Sequence, residues 1–198
     1  MSTVQVDAIN ESTTNAGVTV DGVLIKDSQV DGVDVSALNT TVSALSTGIT
    51  EYDVWQLTSN LTASANPITT FVRPTGTLQT KLGTGMSVSS GIWTFPSTGI
   101  WEVKAQCLYS QSADNQLAEV IIYSSDDNFS TEDEIGYNSY RGKSPDVGSG
   151  SIRVLLDIQD TANDKVKFTY TDANGSGNLL GESTKNRTSF QFIKISDT

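Results

Sequence analysis

The chain contains no histidine, and its single cysteine is Cys107. Lacking histidine, it has no imidazole base, no Ser-His-Asp or Cys-His triad and no histidine-ligated zinc. One cysteine excludes an intrachain disulfide, a four-cysteine zinc site and an iron–sulfur cluster. Basic residues are scarce as well, 12 against 23 acidic ones, for a formal charge of -11. They are thinly spread, so there is no electrostatic footprint for nucleic acid or an anionic membrane. No apolar run approaches the ~20 residues that span a bilayer. The N-terminal MSTVQVDAINEST has neither a basic n-region nor an apolar h-region, so no secretory signal is expected.

Serine and threonine are abundant, 25 of each among 198 residues. Between them Val, Ile, Tyr, Phe and Trp recur in short alternating bursts, which reads as many short strands joined by polar turns, hence an all-β protein. Residues 1–50 contain no Trp, Phe, Tyr or Cys and cannot build a conventional core. They carry a repeat instead, Val20-Asp21-Gly22-Val23 and Val30-Asp31-Gly32-Val33, which predicts two thin strand–turn units with Asp-Gly at the turns. Such strands need a partner to cover their valines.

The period then changes. Val35, Leu38, Val42, Leu45 and Ile49 are spaced 3, 4, 3 and 4, a heptad stripe ending near Gly48. At about fourteen residues and rich in threonine, such a helix is marginal alone. Two readings follow: a self-associating stem, or an extended linker laid on the next domain. The expected organisation is an N-terminal anchor over 1–35, a stem over 36–50 and a head over 51–198. Eight to ten strands with regular turn signals in the head suggest a β-sandwich or jelly roll. In Trp101-Glu102-Val103-Lys104-Ala105-Gln106-Cys107 apolar and polar residues alternate, so one face is buried and the other wet.

Candidate chemistry is sparse. Asp126 and Asp127, with Glu132-Asp133-Glu134, form an acidic loop that reads as a solvated loop, a calcium loop or, least simply, acid–base machinery. Asp157, Asp160 and Asp164 read mainly as turn formers. No organic cofactor is implied. Arg73, Arg141 and Arg187 look isolated, as solvent or interface residues. Cys107 falls on the apolar side of its strand, as a small hydrophobe. Trp55, Trp93 and Trp101 could stack on sugars or could build a core or subunit interface. Tyr137, Tyr140 and Arg141 lie in a predicted loop, Gly136–Gly150, whose Tyr/Ser/Gly composition suits either a plain surface loop or an adaptable recognition loop.

Gly91-Ile92-Trp93-Thr94-Phe95-Pro96-Ser97-Thr98-Gly99-Ile100-Trp101-Glu102-Val103 resembles a hairpin of the complement globular-head and tumour-necrosis-factor superfamily. Asn163-Asp164-Lys165-Val166-Lys167-Phe168 and Arg187–Ile195, with Phe190 and Phe192, resemble that family's last strands. The likeness covers roughly residues 53–198. The leader Gly17–Asp27, together with Trp55-Gln56-Leu57-Thr58 and the terminal Phe192–Thr198, is similar to structural proteins of tailed bacteriophages, marine and cyanobacterial phages in particular. The resemblance implies a homotrimeric jelly roll on an axial stem, with Trp55, Trp93, Phe95, Trp101, Phe168, Phe190 and Phe192 as core or interface. No collagen Gly-X-Y repeat is present, unlike animal members of the complement type. The expected function is a non-enzymatic virion protein on the particle surface, a short capsid fibre or decoration spike with an adhesive role. Alternatives are a receptor-binding tail fibre and a free carbohydrate-binding module. Expected partners are two further copies of the chain, a capsid or tail protein at the N-terminus, and host-surface glycan or receptor.

Overall fold

The computed structural model describes residues 18–20, 23–26, 29–30, 33–34, 37–39, 42, 48–76, 81–114 and 116–198. The chain divides into two compact units, Met1–Gly48 and Ile49–Thr198.

In the first unit four short strands, β1 (Val18–Val20), β2 (Val23–Lys26), β3 (Gln29–Val30) and β4 (Val33–Asp34), form an antiparallel sheet in sequence order. Val20 pairs with Val23 and Val30 with Val33, so each half of the repeat is one strand pair joined by the two residues Asp-Gly. The pairing of Lys26 with Gln29 merges the two units into one meander. Residues 37–39 and 42 are helical. Leu38 and Val42, and Ile49 at the start of the second unit, are exposed on the single chain. Val35 and Leu45 lie outside the described residues.

The second unit contains β5 (Tyr52–Leu57), β6 (Phe71–Val72), β7 (Ser87–Ser89), β8 (Ile92–Thr94), β9 (Gly99–Gln111), β10 (Gln116–Ser125), β11 (Asp133–Gly142), β12 (Asp146–Ile158), β13 (Lys165–Asp172), β14 (Gly177–Leu179) and β15 (Ser189–Ser196). They form two antiparallel sheets, ordered β11-β10-β13-β8-β7 and β12-β9-β15-β5-β6, with β14 alongside the far end of β9. This is a jelly-roll sandwich. Strand alternation builds it: Trp101, Val103, Ala105, Cys107 and Tyr109 of β9 are buried, while the residues between them reach the outer face. Opposite them, Val166, Phe168 and Tyr170 of β13 enter from the other sheet.

The core is aromatic at its centre. Trp93 meets Trp55, Phe71 and Phe168 edge-on at centroid distances of 5.1, 4.8 and 6.2 Å, and Phe192 at 4.9 Å. Phe168 packs on Phe190 at 4.4 Å, and Phe95 on Trp101 at 5.3 Å. Such pairs add roughly 0.5–1.5 kcal/mol each beyond the area they bury.

Two expectations are corrected here. The segment Gly91–Val103 is not a hairpin: β8 belongs to the five-stranded sheet and β9 to the six-stranded one, so Phe95–Thr98 is a corner that carries the chain between sheets. The Trp101 indole donates to the Ser97 carbonyl (3.1 Å) and closes that corner. The corner ends at Gly99, whose φ of 134° suits glycine. The true hairpin is β7–β8, turning at Ser90-Gly91 with φ values of 51° and 81°, the two positive values of a type I′ turn.

The second correction concerns Gly136–Gly150, which is not a long loop but most of β11 and the start of β12, joined by a short turn. Its composition hid the strands because glycines stand where the sandwich edge closes. A Cβ on Gly136 would lie 2.9 Å from Ile152, and one on Gly148 2.0 Å from the Tyr140 ring. The sequence pattern of β-branched residues is therefore missing where close packing forbids it.

Phe192 packs from the six-stranded sheet on Trp93 and Phe168 of the other sheet and on Phe95 of the corner, so Phe192→Ala is expected to cost about 3–5 kcal/mol. Chemical denaturation of the full chain measures it, and Phe192→Leu should cost clearly less.

Candidate functional site

The six aromatic residues Trp93, Phe95, Trp101, Phe168, Phe190 and Phe192 are all 0–1% exposed. They are core, and they present no ring face for a sugar. Trp55 of β5 is half-buried, and the Arg73 guanidinium lies over its ring, 4.1 Å from the centroid.

That arginine is not isolated. The Asp53 carboxylate, 1% exposed, accepts from Arg73 Nε (3.0 Å to Oδ1) and Nη2 (2.9 Å to Oδ2), from the Trp55 indole (2.9 Å) and from the Met86 amide (2.8 Å). Arg73 also donates to the Met86 carbonyl. Glu51 adds a second clasp, accepting the amides of Thr84 and Gly85 at 2.9 Å each. A shielded carboxylate is tolerated because both of its oxygens accept hydrogen bonds, among them from a guanidinium. The pair joins β5 to the residues following β6 and preceding β7. Arg187 is likewise paired, with Glu182 at 2.9 Å.

The three residues of the expected recognition loop are separated by strand geometry. Tyr137 is 63% exposed and Arg141 is exposed on the same face of β11. Tyr140 lies on the opposite face, its ring stacked on Tyr109 at 5.8 Å and its hydroxyl donating to Asp146 Oδ2 at 2.6 Å. A spacing of three places residues on opposite faces of a strand.

The acidic loop is a tied turn. Asp127 Oδ1 accepts from the Thr131 amide (2.9 Å) and the Ser125 hydroxyl (2.8 Å), and Oδ2 from the Thr131 hydroxyl (2.8 Å). These bonds, the Thr131 amide first, hold its carboxyl below the usual carboxylate range. They fix Asn128 and Phe129 at φ 56° and 63°, a conformation bulky side chains seldom adopt. Phe129 and Tyr123 flank the Lys167 ammonium at 5.1 and 5.3 Å, and Glu132 pairs with it. Asp126 is exposed beside a cavity of about 220 Å³ that also meets Asp133, Asp157, Asp164 and Lys165. Among the described residues no group of three or more His, Cys, Asp or Glu is disposed to hold a metal ion. Asp160 and Asp164 spend their carboxylates on the amides of the Gln159–Asn163 turn. Burial pushes the Cys107 thiol up to about 12, so it is an inert filler.

What remains is a surface. The outer face of the six-stranded sheet is crossed by rows of paired residues: Tyr52, Ile193, Glu102 and Leu155 in one, and Val54, Gln191, Lys104 and Arg153 in the next. Leu155 and Val147 are 65% and 60% exposed on its β12 border. A shallow depression of about 380 Å³ lies among Lys104, Gln106, Ser149, Gly150 and Ser151. This face thus carries two large exposed apolar side chains on its border beside a centre of mixed charge.

No family model and no curated protein matches the sequence. Solved structures do resemble the fold. The TNF Eiger of S. frugiperda aligns over 75% of this chain and 95% of its own, with 12% identity and a TM-score of 0.52. Murine APRIL, solved at pH 5.0, aligns over 73% and 98%, with 11% identity and a TM-score of 0.54. The head thus has a TNF-type jelly-roll fold.

Asp127 favours its ionised form in the fold, so its stabilisation is complete above the usual carboxylate pKa near ~4. It fades as pH falls through the lower folded value. Asp127→Asn should lower the melting temperature at pH 7, and the difference from the parent should shrink in thermal scans at progressively acid pH.

Proposed function

We propose that the protein is a structural component of a tailed-bacteriophage virion, a homotrimeric short fibre or decoration spike displayed on the capsid surface. The observation that carries this reading is the joining of a TNF-type head to an N-terminal unit with a phage-like leader, whose Leu38 and Val42 are exposed on one copy. Residues 1–35 attach the spike to the particle, residues 36–50 form the stem, and residues 51–198 form the presented head. Three copies bury Leu38, Val42 and Ile49 against one another, and in the head they bring the open sheet faces bearing Leu155 together. The head works by adhesion, with Tyr137 and Arg141 among the side chains it offers to host glycan or receptor. It performs no catalysis: it has no histidine, and Asp53, Asp127, Asp160 and Asp164 already hold backbone or ion-pair contacts. A tail-fibre position would leave the same trimer attached to a different particle protein.

Multi-angle light scattering should give three times 21.1 kDa. Leu155→Glu should shift that mass toward the monomer while circular dichroism stays β-rich. A parent protein that is monomeric at micromolar concentration would defeat the trimer.

Attachment is tested separately. Deleting residues 1–35 should leave a folded head that is no longer incorporated into particles, scored by immunogold labelling. Labelled particles carrying the truncated chain would show that the anchor lies elsewhere, and label on the tail would move the spike from the capsid.

A further inference from the structure

The turn that follows β13 is wound around one carboxylate. Asp172 Oδ1 accepts in succession the amides of Asn174 (3.4 Å), Gly175 (3.1 Å), Ser176 (3.3 Å) and Gly177 (3.2 Å). Asn174 and Gly175 are exposed. Gly175 has a φ of 70°, and a Cβ built on it would meet nothing within 4 Å, so the space beside this peptide is open.

Asn174-Gly175 is the single Asn-Gly pair in the chain. The backbone nitrogen that follows an asparagine can attack its Cγ and close a succinimide ring. A side chain on the following residue crowds that approach, and glycine has none. A carboxamide held elsewhere is also kept from it. The structure sorts the asparagines on both counts. Nδ2 of Asn163 and of Asn178 donates to Asp160 (2.8 Å) and Ser110 (3.3 Å). Oδ1 of Asn60 and of Asn138 accepts from the Gly181 amide and the Tyr109 hydroxyl, 3.0 Å each. Asn128 and Asn186 precede the bulky Phe129 and Arg187, and Asn66 precedes a proline, which has no N–H. The Asn174 carboxamide makes no hydrogen bond among the described residues.

We propose that Asn174 is a site of spontaneous deamidation, with Asp172 placed as the base. Asp172 Oδ1 takes the Gly175 N–H proton, and the freed nitrogen bonds to Asn174 Cγ. The Cγ–Nδ2 bond then breaks. The NH2 leaves as ammonia with the proton that Asp172 hands on. Water opens the succinimide at one carbonyl or the other, leaving aspartate or isoaspartate at this position. Either product sets a second carboxylate beside Asp172. Isoaspartate also lengthens the backbone of a turn whose Ser176 carbonyl accepts the Ser112 amide (2.9 Å) and hydroxyl (2.8 Å). The reaction thus adds negative charge where the turn meets the end of β9, and it does not depend on the proposed virion role.

The full chain, incubated at mildly alkaline pH below its melting temperature and followed by peptide mass mapping, tests this. The expected result is amide-to-acid conversion at Asn174 ahead of every other asparagine, giving both aspartate and isoaspartate, with ammonia released. Asn174→Gln should abolish it, because the longer side chain closes its ring poorly. An intact Asn174, or earlier conversion at Asn60, Asn138, Asn163 or Asn178, would overturn the proposal. Asp172→Ser, with its fold checked by circular dichroism, should slow the conversion several-fold in the folded chain but not in urea. Equal rates in the folded parent and variant would remove Asp172 as the base.

Discussion

The head depends on one packing event, the meeting of the two sheets through aromatic rings. Trp93 comes from a three-residue strand of the five-stranded sheet, yet it touches Phe192 of the other sheet and the Phe71 and Trp55 rings at its edge. A strand that short has little stability of its own. It is held because its tryptophan buries more surface than its backbone bonds could justify. The corner at Pro96–Gly99 follows from the same demand, since the chain must deliver Phe95 to one side of the core and Trp101 to the other.

Around that core the margins are closed by different chemistry. At one edge the Asp53–Arg73 pair and Glu51 bind an irregular segment to β5 through charged hydrogen bonds. At another, glycines let Tyr140 and Ile152 approach opposing backbone. With the edges closed, the surfaces left for function are sheet faces and strand borders.

Much of the candidate chemistry was visible in composition but could not be ranked there. The absent histidine and the inward phase of Cys107 were both legible, because composition and strand alternation are local properties. Arg73 looked solitary because its partner lies twenty residues away and looks like an ordinary strand-edge aspartate. Tyr137, Tyr140 and Arg141 looked like one loop because glycine and serine imitate loop composition; only strand pairing shows that Tyr140 turns inward. Asp126 and Asp127 looked equivalent, and hydrogen bonding makes Asp127 a tie for its turn while Asp126 faces solvent.

The sequence by itself determined the all-β character, the alternating strands, the aromatic membership of the core and the break in character near residue 50. Each follows from side-chain period and composition within one segment. Tertiary structure alone decided that Ile92–Thr94 and Gly99–Gln111 join different sheets, that Gly136–Gly150 is paired strand, and that Asp53 is buried yet satisfied. These depend on which distant backbone lies alongside, and the pairing energy for that is spread over many residues, none of which carries a local mark of its partner.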